Sequence, residues 1–276
     1  MNTKTVTIGI ISDTHMPQRW NDIPESVFEI FADVDLILHA GDVGELWVTD
    51  KLAEIAPVIA VHGNDESDAA RAAFPYQQML TIAGHRLLLT HSHYPDRATE
   101  MAKRLDDSWH PKLAHLHSFA APHDATILVY GHTHIPMNYM HDGILLLNAG
   151  AIASGNATSR MTVQSVAKLV LSPDETPQVT HYDLNTKKAF TPVFDIDGGF
   201  KAAHAQFSEV FFTDDLLIEF NRLRAGLTMP EKMQVLKAMM PLLHECWYHG
   251  KATLSLAEMQ AELAKHPAAE ALVKKV

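Results

Sequence analysis

Short apolar runs alternate with amphipathic stretches over roughly the first 185 residues. The runs TVTIGIIS (5–12), DLILH (35–39) and PVIAVHG (57–63) are aliphatic and β-branched and too short for helices, which predicts buried strands. Between them, PESVFEIFA (24–32) and ELWVTDKLAEIA (45–56) carry apolar residues at helical spacing, the first opened by Pro24 near its first turn. Strand–helix–strand alternation predicts a layered α/β sheet whose first strands run parallel. The style changes at QQMLTIAGHRLLLTH (77–91), which predicts a hairpin turning at Gly84-His85. A helical region over 95–120 follows. TILVYGH (126–132), IPMNYMHDGILLLNAG (135–150, turning at Asp142-Gly143) and SVAKLVLSPDETPQVTHYDL (165–184) then predict hairpin-connected strands. Mixed sheets are expected, with the later strands antiparallel.

The alternation stops near residue 185. KKAFTPVFDIDGGFK (187–201) has linker composition, and TDDLLIEFNRLRAGL (213–227) and MPEKMQVLKAMMPLLHECWY (229–248) have helical spacing. TMPE (228–231) and SLAE (255–258) both fit a capping box, in which a Ser/Thr and a Glu three residues on satisfy each other's backbone N–H. The expected organisation is a domain over 1–185 and a linker with a C-terminal helical extension over 186–276. The stripe Leu216, Phe220, Leu223, Met233, Leu236, Met240 and Leu243 is expected to exceed what short helices bury among themselves. It should therefore dock on the first domain or on a second subunit.

Composition changes little in this picture. With 276 residues, 47% hydrophobic and 20% charged, the chain has the makeup of an ordinary globular protein. The opening apolar run is too short to span a membrane, and Asp13 and His15 end it where a cleavage site would stand. One cysteine, Cys246, excludes an internal disulfide and a thiolate zinc site, so a cytoplasmic protein is the default expectation. The net charge of −11 argues against bulk nucleic-acid binding, which needs a basic stripe. It does not exclude an anionic substrate, because bound cations can dominate a local field.

The chemistry gathers at the strand ends, where α/β sheets place their sites. SDTH brings Asp13 and His15, HAGDVG brings Asp42, and HGNDES brings Asn64 and Asp65. LTHSHY then brings His91 and His93, and YGHTHIP brings His132 and His134. In an extended segment residues i and i+2 share a side, so two imidazoles would sit roughly 6–7 Å apart along the backbone, a spacing that suits one metal or a close pair. With 18 histidines a chance pair is expected, but five successive strand ends each delivering Asp, Asn or His is not. Such a donor set, without thiolate, suits borderline or hard divalent metals.

These blocks, in this order over residues 5–185, resemble the calcineurin-like metallophosphoesterases, in particular their small microbial phosphodiesterase branch. The matching elements are Asp13/His15, Gly41-Asp42, Gly63-Asn64, His91 and Gly131-His132-Thr133-His134. The resemblance implies a four-layer α/β/β/α sandwich of mixed sheets. It also implies two divalent metal ions, of Mn, Fe, Co, Ni or Zn, and hydrolysis of a phosphodiester or phosphomonoester by metal-bound hydroxide. Asp13, His15, Asp42 and His134 would hold the first metal. Asp42 would bridge to a second, completed by Asn64, His91 and His132. Where many relatives have His or Cys after Gly-Asn, this chain has Asp65, a poor proton donor beside dications. Asp65 and His93 are the candidates for catalytic contacts. The family's Asn-Pro-Gly-Ser turn is here NAGA (148–151), without Pro and Ser.

Other features weigh less. HECWYH (244–249) predicts a helix end rather than a metal cluster, because i and i+2 diverge on a helix. His110, His115, His117 and His123 fall outside the matching blocks and are expected at the surface. Arg19 and Arg160 are cations within conceivable reach of a phosphate. The expected partner is a small phosphate ester, with no membrane, nucleic acid disfavoured, and homo-oligomerisation through the extension. The competing readings are a nucleotide pyrophosphatase or nuclease on the same core, and a metal-binding scaffold or interaction module.

Overall fold

The computed structural model describes residues 4–276, and all of their side chains except those of Arg97, Met101, Arg104 and Leu105. The chain forms two compact units: residues up to Ala153 with Met161–Ser208, and Ser154–Arg160 with Glu209–Val276. Residues 187–201, expected as linker, thus fold with the first unit.

The first unit contains the strands β1 (Val6–Ile11), β2 (Leu36–His39), β3 (Val58–Ala60), β4 (Gln77–Ile82), β5 (His85–Thr90), β6 (Ile127–Tyr130), β7 (Met137–His141) and β8 (Ile144–Asn148). It continues with β9 (Ser165–Leu171), β10 (Gln178–Asp183) and β11 (Ala189–Phe190). Its helices are α1 (Glu25–Ile30), α2 (Trp47–Leu52), α3 (Asp68–Ala73), α4 (Arg97–Leu105), α5 (His110–Ala120) and α6 (Phe200–Ala205). One sheet has the order β11-β10-β9-β1-β2-β3 and the other β4-β5-β6-β8-β7. The strands β1, β2 and β3 pair parallel, as their alternation with helices predicts. The later strands are not all antiparallel: β5 pairs parallel with β6, and β6 with β8. Periodicity identified these strands but not their partners. The α4–α5 crossover carries the chain from β5 to a parallel neighbour, while β4–β5, β7–β8 and β9–β10 close as the expected antiparallel hairpins, the first turning at Ala83-Gly84 and the second at Asp142-Gly143.

Alternation along the strands makes the layers. Ile8, Ile10 and Leu38 from one sheet meet Leu87, Leu89, Val129 and Leu147 from the other in a central core. Ile11 and Ile37, on the opposite face, pack against Val27, Ile30, Phe31, Val48 and Leu52 of α1, α2 and the residue after α1. Leu88, Leu128 and Leu146 likewise cover Leu113 and Leu116 of α5. The result is the expected α/β/β/α sandwich. Helix α3 has weak periodicity and is set by its cap, Ser67 Oγ accepting from Ala70 N at 3.2 Å.

The second unit is helical, with α7 (Asp214–Gly226), α8 (Met229–Trp247), α9 (Leu256–Leu263) and α10 (Pro267–Lys275). Both capping boxes form, Thr228 with Glu231 and Ser255 with Glu258. Most of the stripe expected to need an outside partner is covered within the unit. Leu216, Phe220, Leu223 and Leu243 are buried within the unit, alongside Val235, Met239 and Trp247. Met233 stays 56% exposed, so the buried face of α8 is rotated from the one the spacing suggested. His244 does not join Cys246 in a metal site; Cys246 is buried and His244 packs on the Tyr248 ring, 4.7 Å between centroids. Among the described residues no helix is long and apolar enough to cross a membrane.

Candidate metal centre

The sequence-predicted residues converge at the strand ends of the first unit, but not by the geometry that extended backbone would give. Asp13, His15, Asp42, His132 and His134 all have positive φ, between 45° and 71°. Few L-residues adopt this left-handed region, and a group of them marks a site where surrounding structure holds the backbone in costly conformations. The backbone turns at each residue, and neighbouring side chains are sent apart. His134 Nε2 lies 3.0 Å from Asp13 Oδ1, and its ring stacks on His15 at 5.5 Å between centroids. His132 instead meets the edge of His91, at 5.0 Å.

Among the described residues two sets of three donors have their ligand atoms within 4.8 Å of one another: Asp13, His15 and His134, and Asp13, Asp42 and His91. All five residues are buried. Asp42 Oδ2 lies 3.5 Å from His15 Nε2 and 3.2 Å from His91 Nε2, within reach of an imidazole from each set. Asn64 Oδ1 is buried without a hydrogen-bond partner, beside the buried carboxylate of Asp42 and the His91 imidazole that faces it. An orphaned acceptor at a buried carboxylate cluster is costly unless a cation satisfies it, so this donor set fits divalent metal. His132 belongs to neither set.

Loops of both sheets are locked around these groups. Glu66 accepts N–H bonds from Val43 (3.0 Å), Gly44 (2.8 Å) and Gly63 (2.9 Å), tying the segment after β2 to the one after β3. Asn148, from the NAGA segment, donates to Gly131 O (3.0 Å) and Thr133 Oγ1 (3.1 Å) and so braces the His132–His134 loop. Ser12 Oγ donates to Asp13, and Thr14 Oγ1 bonds His39 Nε2 at 3.1 Å. The close approach of these loops requires glycine at two positions. A Cβ on Gly63 would stand 2.1 Å from Asp42 Oδ1, and one on Gly131 would stand 2.2 Å from Ser12 Oγ.

Burial and charge set the protonation of the centre. Burial alone would raise Asp13 and Asp42, but the histidines beside them, His134 for Asp13 and His91 and His15 for Asp42, hold both carboxyls well below the usual range. Burial opposes a charge on His91, yet Asp42 and Asp13 push it up to about 10. His15 goes the other way, to about 3, through burial and the Arg19 guanidinium. Burial, helped by His91 and His132, lowers His93 to about 3. The cluster therefore keeps two ionised carboxylates buried, an arrangement that favours cations.

Three sets of contacts escaped the sequence, although it names Arg19 and Asp65 as candidates. Arg19 donates to Asp65, with its Nη1 3.3 Å from His15 Nδ1, so the rim of the site carries a fixed guanidinium. Asp65 N–H donates to Asp42 Oδ1 at 2.8 Å, and the Asp65 carboxylate serves Arg19. Glu100, on α4, is 3% exposed and lies 2.8 Å from His132 Nε2. No motif spacing marks Glu100, because a helix distant in sequence delivers it. His115, expected at the surface, is half-buried with Nε2 2.9 Å from Ser92 O. Arg160 belongs to the second unit, where it binds Glu209 and, at 2.8 Å, Lys251 O.

Residues 6–169 match the family model of the calcineurin-like phosphoesterase superfamily domain. Over 145 residues the chain is 35% identical to a probable metallophosphoesterase of Methanothermobacter thermautotrophicus, covering 52% of this chain and 76% of that one. It is 32% identical over 167 residues to a probable metallophosphoesterase of Methanocaldococcus jannaschii, covering 60% and 76% respectively. Among solved structures, Vacuolar Protein Sorting 29 from Cryptosporidium parvum superposes with a TM-score of 0.53 at 20% identity, over 67% of this chain and 95% of that one. That last likeness bears on fold alone.

Proposed function

This chain belongs to the calcineurin-like phosphoesterase superfamily, and we propose that it hydrolyses a small phosphodiester at a binuclear centre. The observation that carries this reading is the pair of buried donor sets, Asp13/His15/His134 and Asp13/Asp42/His91. In the proposed assignment Asp13, His15, Asp42 and His134 hold one divalent cation. Asn64, His91 and His132 hold the other, and Asp42 is shared. The reach of Asp42 Oδ2 to both His15 and His91, and the orphaned Asn64 Oδ1, support it. Held by these residues, two divalent cations would supply activation of a water at neutral pH and positive charge against the displaced oxygen.

The chain's own groups do the rest. Arg19 is the proposed anchor for a non-bridging phosphate oxygen, since a guanidinium offers paired donors to such an anion. Asp65 positions Arg19 rather than donating a proton. His93, whose burial and neighbours His91 and His132 disfavour its charged form, is the proposed hydrogen-bond contact rather than a general acid. Its backbone is braced by Tyr76 Oη donating to His93 O at 2.8 Å. The scaffold and nuclease readings lack a comparable observation, and the net charge of −11 weighs against the nuclease.

The test is metal dependence of turnover. Chelation and dialysis should abolish hydrolysis of a generic aryl phosphodiester, and adding back divalent ions one at a time should restore it. Faster turnover of a monoester than of the matched diester would refute the diester preference. Absence of any metal-dependent hydrolysis would remove the enzyme reading. Arg19→Ala should raise KM by about 10-fold or more, the worth of one charge-assisted hydrogen bond, with metal content unchanged. Unchanged KM together with unchanged inhibition by inorganic phosphate would remove Arg19 from substrate binding.

A further inference from the structure

We infer that Glu100 is a positioning residue for the metal centre: its carboxylate holds His132 by Nε2–H and so commits the ring to coordinate through Nδ1. The inference rests on the reading of His132 as a ligand proposed above.

Three observations carry it. Glu100 is a carboxylate at 3% exposure, and a buried charge of that kind persists only where donors satisfy it. Its two oxygens have separate donors. Oε1 lies 2.8 Å from His132 Nε2, and Oε2 accepts the Tyr94 N–H at 3.1 Å. An ionised carboxylate can only accept, so the proton of the first contact belongs to Nε2 of the imidazole. An imidazole protonated and engaged at Nε2 can meet a cation only through Nδ1.

The Tyr94 contact is itself held in place. The Tyr94 ring stacks on His115 at 3.8 Å between centroids and 11° between planes, and His115 Nε2 bonds Ser92 O at 2.9 Å. The His132 backbone is anchored independently, its N–H donating to Asp13 Oδ2 at 3.1 Å. Glu100 therefore joins the Tyr94 backbone N–H on one side to the His132 ring on the other. Carboxylate–imidazole pairs behind metals fix tautomer and ring angle and make the ligand more basic, and their loss weakens metal binding by about 10- to 100-fold.

The experiment titrates the full-length, metal-stripped protein with Co²⁺, following the visible d–d bands and the stoichiometry by elemental analysis. Wild type, Glu100→Gln, Glu100→Ala and His132→Ala are compared. Glu100→Ala should weaken one of two Co²⁺ sites by about 10- to 100-fold and leave the other unchanged. Glu100→Gln keeps an acceptor of the same shape and should fall between wild type and alanine, which a merely space-filling role would not produce. ¹⁵N chemical shifts of the metal-stripped imidazoles should show the Nε2–H tautomer at His132, lost in Glu100→Ala. Two wild-type Co²⁺ affinities in both Glu100 variants, with His132→Ala impaired, would overturn the role of Glu100 while leaving His132 as a ligand. Unchanged Co²⁺ binding in His132→Ala would instead overturn the ligand reading beneath it. Should the alanine variant fail to fold, the glutamine variant alone decides.

Discussion

Asp42→Asn should lose metal and turnover together, with hydrolysis of a generic phosphodiester falling by about 10³-fold or more, roughly 4 kcal/mol of transition-state stabilisation. The reason is local. Asp42 Oδ2 reaches His15 Nε2 at 3.5 Å and His91 Nε2 at 3.2 Å, while Oδ1 accepts the Asp65 N–H at 2.8 Å. An amide keeps one oxygen for the backbone contact and turns an N–H₂ toward the cluster, where an anion is needed. The substitution also removes the charge that pushes His91 up to about 10, so in the metal-free protein His91 should titrate much nearer the ordinary histidine range. Elemental analysis after dialysis, with turnover on the same sample, checks the first part. A mutant that retains two ions per chain and near-normal turnover would show that Asp13, the residue common to both donor sets, is the shared carboxylate instead.

Gly63→Ala should be nearly as damaging, although it removes no functional group. The added Cβ would stand 2.1 Å from Asp42 Oδ1 and 2.6 Å from Asp42 N, so either the carboxylate swings away or the backbone moves. The backbone is ill-placed to yield, because Gly63 N–H is one of three donors to Glu66. Overpacking of this kind costs about 1–3 kcal/mol. The melting temperature should fall by about 2–4 °C for each kcal/mol in a chain of this size. Metal affinity should fall as well, since Asp42 is the residue displaced. Differential scanning calorimetry of the stripped and metal-loaded protein separates the two effects. A wild-type melting curve in both states would mean that the loop after β3 relaxes freely, contrary to the contacts seen around it.

Much of this protein is legible along its chain. Local backbone geometry and burial write themselves into sequence as periodicity. The buried strands around Ile8, Leu38 and Leu128, the helices of the second unit and both capping boxes were therefore identifiable from spacing alone. The residues gathered at the candidate metal centre were legible as a group too, because sheets align their strand ends, so polar residues at successive strand ends fall near one another whatever the intervening helices do. What depends on which surfaces meet was not identifiable. The parallel pairing of β5, β6 and β8 follows from the crossover through α4 and α5, and no residue in those strands records its neighbour. His132 and His134 look equivalent in Gly-His-Thr-His. Positive φ at both turns one ring toward Asp13 and the other toward Glu100, and that strain is held by Asn148 from a later strand. Glu100 and Arg19 carry no motif at all. Their significance arises from a buried carboxylate against His132 and a guanidinium against Asp65 and His15, contacts that exist only once the loops have closed. Sequence determined the donors, because chemistry requires those residue types. Tertiary structure decided their geometry and supporting partners, because these follow from packing between segments far apart along the chain.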